Sequence, residues 1–221
     1  MRVKICGINN LEDAKLAVSF GTDALGFIVG VRRKAEDAIS PKEARRMIQS
    51  LPPFISSVLV TDHRESKHVI ELWKETGATT IQLQDEIPLD EIRLVRKSLP
   101  SIRLVKAVHV TGPQAVDKAR SYEGLVDAIL LDTMNIKEDR IGGTGLTHDW
   151  RISRRIREQC SLPVILAGGL RPENIEEAIR IVKPYGIDVN SGVENPEGGG
   201  HGRKDPDRVK TLIEKAKKFT L

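Results

Sequence analysis

The sequence has little cysteine and no long apolar run. Only two of its 221 residues are cysteines, Cys6 and Cys160, which is too few for a disulfide framework. No segment approaches the roughly 20 consecutive apolar residues that a membrane-spanning helix needs. The first residues also lack the apolar stretch and cleavage site of a secretion signal. We therefore expect a reduced, cytoplasmic protein with no membrane partner.

Charge of one sign and aromatic residues are scarce as well. The 35 basic residues are nearly balanced by 31 acidic ones, for a net charge of +4, and aromatic residues make up only 4% of the chain. The densest basic run, residues 151–157, has no interleaved aromatics, so we interpret it as a solvated helix face and predict no nucleic-acid partner. The five histidines lack the spacing of paired metal ligands, so we predict no metal site.

Short apolar runs alternate with helical patterns along the whole chain. Between the runs, apolar residues recur at helical spacing, and the residues around Ser40, Pro41 and Glu43 combine the cap, first-turn proline and capping-box glutamate that start a helix. The predicted strands cover residues 3–6, 24–29, 55–60, 79–84, 102–108, 126–132, 164–167 and 187–190.

Eight strand–helix units without a remaining segment predict a single (β/α)8 TIM barrel over residues 1–221, an α/β fold. The alternative is a doubly wound open sheet. Such a sheet usually has a glycine-rich fingerprint after its first strand, and the residues after Cys6 do not match it.

Strand alternation predicts which side chains face the barrel axis. Val3 and Ile5 share an apolar face that suits the surrounding helices, so Lys4 and Cys6 should point inward. The further polar residues for which we predict an inward position are Gln82, Gln84, Lys106 and Asp188. Burying polar groups costs free energy unless they pair, so Lys4, Lys106 and Asp188 are expected to form a buried network. A purely structural ion-pair cluster is the alternative.

Two strand ends carry groups suited to acid–base chemistry. Cys6 ends the first predicted strand and Asp132 ends the sixth, and catalytic groups of this fold lie at the C-terminal ends of strands. A thiol and a carboxyl on two sides of a bound substrate can act as base and acid. The alternatives are a buried packing role for Cys6 and a loop-anchoring role for Asp132.

Glycine-containing turns follow the last two predicted strands. Gly168 and Gly169 follow the seventh strand, and Ser191 and Gly192 follow the eighth. These loops are the usual phosphate site of such barrels, because glycine lets backbone N–H groups approach an anion. We therefore predict that they bind the phosphate of a small phosphorylated substrate, with ordinary tight turns as the alternative. The long loop 133–147, which contains Gly143, is predicted to close over the mouth.

Several short segments together resemble one known family. These segments are KICGI (4–8), LLDT (130–133), GGTG (142–145), HDW (148–150), AGGL (167–170), PEN (172–174) and DVNSGVE (188–194). In this order and spacing, and over essentially the whole chain, the sequence resembles phosphoribosylanthranilate isomerase, a TIM-barrel enzyme of tryptophan biosynthesis.

The resemblance implies an Amadori rearrangement without a cofactor. N-(5-phosphoribosyl)anthranilate would become the aminoketose 1-(2-carboxyphenylamino)-1-deoxyribulose 5-phosphate, with Cys6 as general base and Asp132 as general acid. These roles require a pKa of Cys6 lowered toward neutrality and a raised pKa of Asp132. The residues expected to bind other parts of the substrate are Lys4, Arg32, Gln82, Gln84, Gly143 and Asp188. We expect a monomer or homodimer.

Three positions depart from the family pattern. Asp37 stands where family members commonly have an arginine that contacts the anthranilate carboxylate, and the candidate replacements are Arg32 and Arg33. Gln84 stands in place of a histidine and Asn190 in place of a serine. Two alternatives therefore stay open: a related barrel that isomerises a different phosphorylated aminosugar, and a phosphometabolite-binding barrel without turnover.

Overall fold

Eight parallel strands form a closed barrel in the part of the chain that our computed structural model describes, residues 1–32, 35–135, 140–141, 147–195 and 202–219. The barrel strands are β1 (Arg2–Ile5), β2 (Ala24–Val29), β3 (Ser56–Thr61), β4 (Thr80–Leu83), β5 (Arg103–His109), β6 (Ala128–Asp132), β7 (Val164–Leu166) and β8 (Gly186–Val189). They are arranged in chain order, and β1 pairs with both β8 and β2. This closure confirms the TIM barrel, because an open sheet would leave two edges unpaired.

A helix follows each barrel strand. The helices are α1 (Leu11–Ser19), α2 (Pro41–Gln49), α3 (Ser66–Thr76), α4 (Leu89–Ser98), α5 (Ala115–Arg120), α6 (Trp150–Gln159), α7 (Ile175–Val182) and α8 (Pro206–Lys217). The predicted start of α2 is confirmed, since Ser40 and Glu43 form a capping box and Pro41 is in the first turn. No helix among the described residues is long and apolar enough to span a bilayer.

Short strands extend the βα loops. Ala38–Ile39 pairs with the end of β2, and Met134–Asn135 pairs antiparallel with Arg140–Ile141 after β6. A single turn of 3-10 helix, Ser191–Val193, follows β8. Since the barrel strands are parallel, these loops all lie at the C-terminal end of the barrel.

Alternate strand residues separate two apolar layers. Val3 and Ile5 belong to the large core between strands and helices. Inside the barrel, Ala107 and Leu130 belong to one apolar cluster, and Cys6 packs with Val58 and Val60 in another. The polar side chains of Lys4, Gln82 and Asp188 are buried as well.

The prediction that Lys106 points into the barrel is wrong. Its neighbours Val105 and Ala107 line the interior, so alternation turns Lys106 outward. There its Nζ lies 5.2 Å from the centroid of the Tyr122 ring and donates to the Ala107 carbonyl. Burial lowers the pKa of Lys106 to about 8. The apolar pattern of β5 did not settle its direction, because Leu104 on the outer face is as apolar as the residues on the inner one.

Candidate active site

A chain of polar side chains crosses the barrel interior. Lys4 Nζ donates to Asp188 Oδ2 at 2.7 Å and to Gln82 Oε1 at 3.0 Å. Gln82 Nε2 donates to Gln84 Oε1 at 2.7 Å, and Gln84 Nε2 donates to Asp132 Oδ2 at 2.8 Å. Strand alternation predicts Lys4, Gln82, Gln84 and Asp188 on the inner face. The structure joins them with Asp132 in one network contributed by four strands.

Cys6 lies directly beside Lys4. A Cβ on Gly26 of β2 would be 2.6 Å from Cys6 Sγ and 2.9 Å from Lys4 Cε, so glycine at that position leaves room for both side chains. Burial raises the pKa of the Cys6 thiol to about 11, although the nearby Lys4 ammonium acts in the opposite direction. The pKa of Cys6 therefore lies above its ordinary value, whereas the base role requires it to fall, because Lys4 is already paired with Asp188 and does not offset the desolvation of the thiolate.

Asp132 ends β6 inside the same barrel mouth. Its Oδ1 accepts from the Thr133 N–H at 2.8 Å, while Gln84 occupies Oδ2. Burial raises the pKa of Asp132, and the nearby His109, the Thr133 N–H and the Gln84 amide oppose that rise. The net direction agrees with a carboxyl that holds a proton for donation.

His109 is a site residue that sequence reasoning missed. It is paired in register with Asp132, and its Nε2 donates to the Gln84 carbonyl at 3.1 Å. Its Nδ1 is buried and has no hydrogen-bond partner among the described residues. The signal was available, since His109 shares the inward parity of Val105 and Ala107.

The turns after β7 and β8 lie against each other. Gly168 and Gly169 have φ angles of 79° and 65°, which favour glycine. A Cβ on Gly192 would be 1.8 Å from the Leu170 carbonyl oxygen, so the close approach of these turns requires glycine. Within the described residues, the N–H groups of Gly169, Ser191 and Gly192 donate to no backbone carbonyl. Such N–H groups can bind an anion.

Two expected substrate contacts are not joined to this network. Arg32 Nη2 donates to Asp85 Oδ2 at 2.5 Å and its Nε donates to the Asp62 carbonyl at 3.0 Å, so these two acidic residues engage its guanidinium. Gly143 lies outside the described residues, as does Arg33, the other candidate for the arginine position. In the described ranges, no group of three or more His, Cys, Asp or Glu side chains is placed to hold a metal ion.

A second polar cluster lies beside Cys6. Asp37 Oδ2 accepts from Asn190 Nδ2 at 2.6 Å, and Asn190 Oδ1 accepts from the buried Lys204 ammonium at 2.6 Å. Lys204 also pairs with Glu194 at 3.1 Å. The Asp37 charge is close enough to Cys6 to contribute to the raised pKa of the thiol. A carboxylate therefore lies in the mouth of the barrel.

Comparison with known proteins agrees with this geometry. The family model described as N-(5'phosphoribosyl)anthranilate (PRA) isomerase matches residues 3–215. The chain belongs to the phosphoribosylanthranilate isomerase family. Membership makes it an aldose–ketose isomerase, as the resemblance predicted.

Relatives in this family match over nearly their full length. The N-(5'-phosphoribosyl)anthranilate isomerase 2 of Methanosarcina mazei is 43% identical, with 98% of this chain and 94% of the relative covered. The isomerase of Methanocella arvoryzae is 41% identical, with 98% of each chain covered.

Solved phosphoribosylanthranilate isomerases share the fold. The Thermotoga maritima structure has a TM-score of 0.86 and 37% identity, covering 99% of this chain and 100% of that one. Another isomerase of the family, with a TM-score of 0.82, 36% identity and the same coverage, was solved with reduced 1-(o-carboxyphenylamino)-1-deoxyribulose 5-phosphate.

Proposed function

We propose that the protein catalyses the Amadori rearrangement of N-(5-phosphoribosyl)anthranilate, with Asp132 as general acid and Cys6 as general base. The observation that carries the proposal is the placement of a buried thiol and a buried carboxyl on the inner face of one barrel mouth, at the ends of β1 and β6. The glycine turns at Gly168 and Gly192 lie at the same end and would bind the substrate phosphate.

Asp132 would act first. Its protonated carboxyl gives a proton to the ribose ring oxygen, and the C1′–O bond breaks. The nitrogen lone pair then forms a C1′=N bond, which leaves an iminium cation and a free hydroxyl. Burial favours this step, because it raises the pKa of Asp132 and so shifts the carboxyl toward its protonated form.

Cys6 would act second. The iminium cation stabilises a neighbouring thiolate, and Lys4 acts in the same direction, so the pKa of Cys6 falls once the ring has opened and the thiol gives its proton to water. The thiolate removes the C2′ proton, and the electron pair forms a C1′=C2′ bond while nitrogen becomes neutral. The enol then loses its hydroxyl proton and C1′ gains one, which gives the ketone. Asp188 Oδ1, which has no hydrogen-bond partner among the described residues, is an acceptor for a sugar hydroxyl.

The test is a turnover assay with matched controls. Freshly made substrate should lose its fluorescence with the wild-type protein, and Cys6→Ala and Asp132→Asn should each lower kcat by about 10²–10⁴-fold. Cys160→Ala removes the other buried cysteine, in the outer core, and Asp127→Asn removes a carboxylate at the other end of β6. Both controls should keep turnover. Near-normal rates in Cys6→Ala and Asp132→Asn would refute these roles, and rescue of a tryptophan auxotroph tests the substrate in vivo.

Asp37 favours a second candidate, the isomerisation of a different phosphorylated aminosugar. Its carboxylate lies in the mouth and would repel a carboxylated substituent there, whereas a neutral or cationic group would be accepted. Under this candidate, Asp37→Arg combined with Gln84→His should create or raise activity on N-(5-phosphoribosyl)anthranilate. No gain over the wild-type rate would count against it.

A further inference from the structure

The hydrogen bonds that link Lys4 to Asp132 through Gln82 and Gln84 can have donors and acceptors in only one order. A lysine ammonium has donors and no acceptor, so Gln82 must turn its Oε1 toward Lys4. The Nε2 of Gln82 then faces Gln84, which must present its own Oε1. That leaves the Nε2 of Gln84 for Asp132 Oδ2. The ammonium at one side of the barrel therefore decides which amide atom meets the carboxyl at the other side.

We propose that Gln82 and Gln84 form an amide relay through which Lys4 fixes the direction of the hydrogen bond at Asp132, so that the carboxyl proton points into the barrel mouth. The relay deepens the proposed function, because it rests on Asp132 being the acid. Gln82 and Gln84 are positioning residues in this relay, since they orient the proton donor and do not exchange protons themselves.

The direction of the relay matters because an amide can bind either form of a carboxyl. With its Nε2 toward Asp132, Gln84 supports the carboxylate and leaves a proton on Oδ2 free to face the mouth. With its carbonyl toward Asp132, Gln84 would accept that proton in a hydrogen bond and hold it away from the substrate. The Thr133 N–H already donates to Oδ1, so both carboxyl oxygens meet donors in the observed arrangement.

Other charged groups face Asp132 and must be included in any titration. His109 on β5 and Asp188 on β8 interact with it electrostatically, and Lys4 lies beyond Asp188 and Gln82. Cys6 next to Lys4 is a thiol in the free protein. The relay differs from these through-space effects in how it reaches Asp132. Gln82 carries no charge and makes no hydrogen bond to Asp132. It contacts Lys4 and Gln84, and Gln84 donates to Asp132.

The test titrates Asp132 in the free protein by NMR with aspartate labelled at the carboxyl carbon, the signal being assigned with Asp132→Asn. Gln84→Met removes the donor, and Gln82→Met frees Gln84 to turn its carbonyl. Each should raise the pKa of Asp132 by about one unit, the size expected for one hydrogen bond to a charged group. The double variant should shift it no further than Gln84→Met alone. Gln114→Met, at an exposed glutamine outside the barrel, should leave it unchanged.

An unmoved Asp132 titration in Gln82→Met, or additive shifts in the double variant, would overturn the relay. If these variants fail to fold, the wild-type protein still decides. In a pH titration of the wild-type protein, the NMR signals of the Gln82 side-chain amide should shift with the same midpoint as the Asp132 carboxyl signal. Amide signals that do not respond to this titration would contradict the proposal. No step of this test needs turnover. An intact relay in a protein without activity would therefore refute only the proposed function.

Discussion

The buried ion pair of Lys4 and Asp188 gives the most quantitative prediction. Lys4 Nζ lies 2.7 Å from Asp188 Oδ2, and each side chain is only 7% exposed. Lys4→Met keeps the apolar stem but leaves the Asp188 carboxylate buried without its counter-charge, and Asp188 Oδ1 already has no partner among the described residues. Removing one partner of such a pair costs about 3–5 kcal/mol. We expect this loss in the free energy of unfolding at pH 7, measured by urea denaturation.

Two variants separate burial from pairing. Arg93→Met breaks an ion pair of 2.6 Å whose side chains are 55% and 89% exposed, so it should cost less than about 1 kcal/mol. Lys4→Met combined with Asp188→Asn should recover most of the loss, because no uncompensated charge is left in the barrel. A loss below about 1 kcal/mol in Lys4→Met, or a double variant as unstable as the single one, would refute this reasoning.

The ion pair also predicts a pH window. Coulombic attraction and a hydrogen bond to Asp188 raise the pKa of Lys4 above its ordinary 10.5, although burial acts in the opposite direction. A raised folded pKa means that the stabilisation is fully present below the unfolded value and is lost as the pH rises through the folded one. The difference in stability between wild-type protein and Lys4→Met should therefore be constant near neutrality and shrink only above about pH 10.5.

Three further outcomes can be checked. The Cys6 thiol should titrate with a pKa of about 11, measured by thiolate absorbance against Cys6→Ala; a midpoint at or below 9.0 would contradict this. Because the pKa is raised in the folded state, the free energy of unfolding should fall by about 3 kcal/mol between pH 9.0 and 11. Burial lowers the pKa of His148 from 6.5 to about 4, so the free energy of unfolding should fall by about 3 kcal/mol as the pH drops across that range. His148→Gln should not show this loss. Parallel curves of stability against pH for the two proteins would contradict the prediction. Gly26→Ala should displace Cys6 and Lys4, cost about 1–3 kcal/mol and lower kcat, whereas wild-type turnover and stability would show that the pocket has spare room.

The barrel was predictable because its signals are local and repeated. Each predicted strand lies within two residues of an observed strand at its ends, as with 24–29 and β2 (Ala24–Val29). Alternation also placed Gln82 and Asp188 on the inner face, since their neighbours along the strand are strongly apolar. Both inferences need only the side-chain period and the apolar pattern.

The predictions for single side chains failed where the two faces of a strand are equally apolar or where the contacting residue is distant in sequence. The direction of Lys106 was predicted wrongly because β5 is apolar on both faces, so the apolar pattern does not distinguish the inner face from the outer one. Arg32 donates to Asp85, which lies 53 positions further along the chain, and no local sequence pattern predicts that contact. His109 was missed because its parity was not followed to the end of β5.

The sequence by itself determined the number of strands, the closed barrel, the family and most of the polar residues that face the axis, because periodicity and motif spacing are properties of the linear chain. Only the tertiary structure decided how those residues are charged and paired. The pKa of Cys6 rises because burial outweighs a lysine already committed to Asp188. The hydrogen bond at Asp132 takes its direction from the same lysine through two glutamines. Such effects depend on distance and desolvation in space, which the order of residues does not specify.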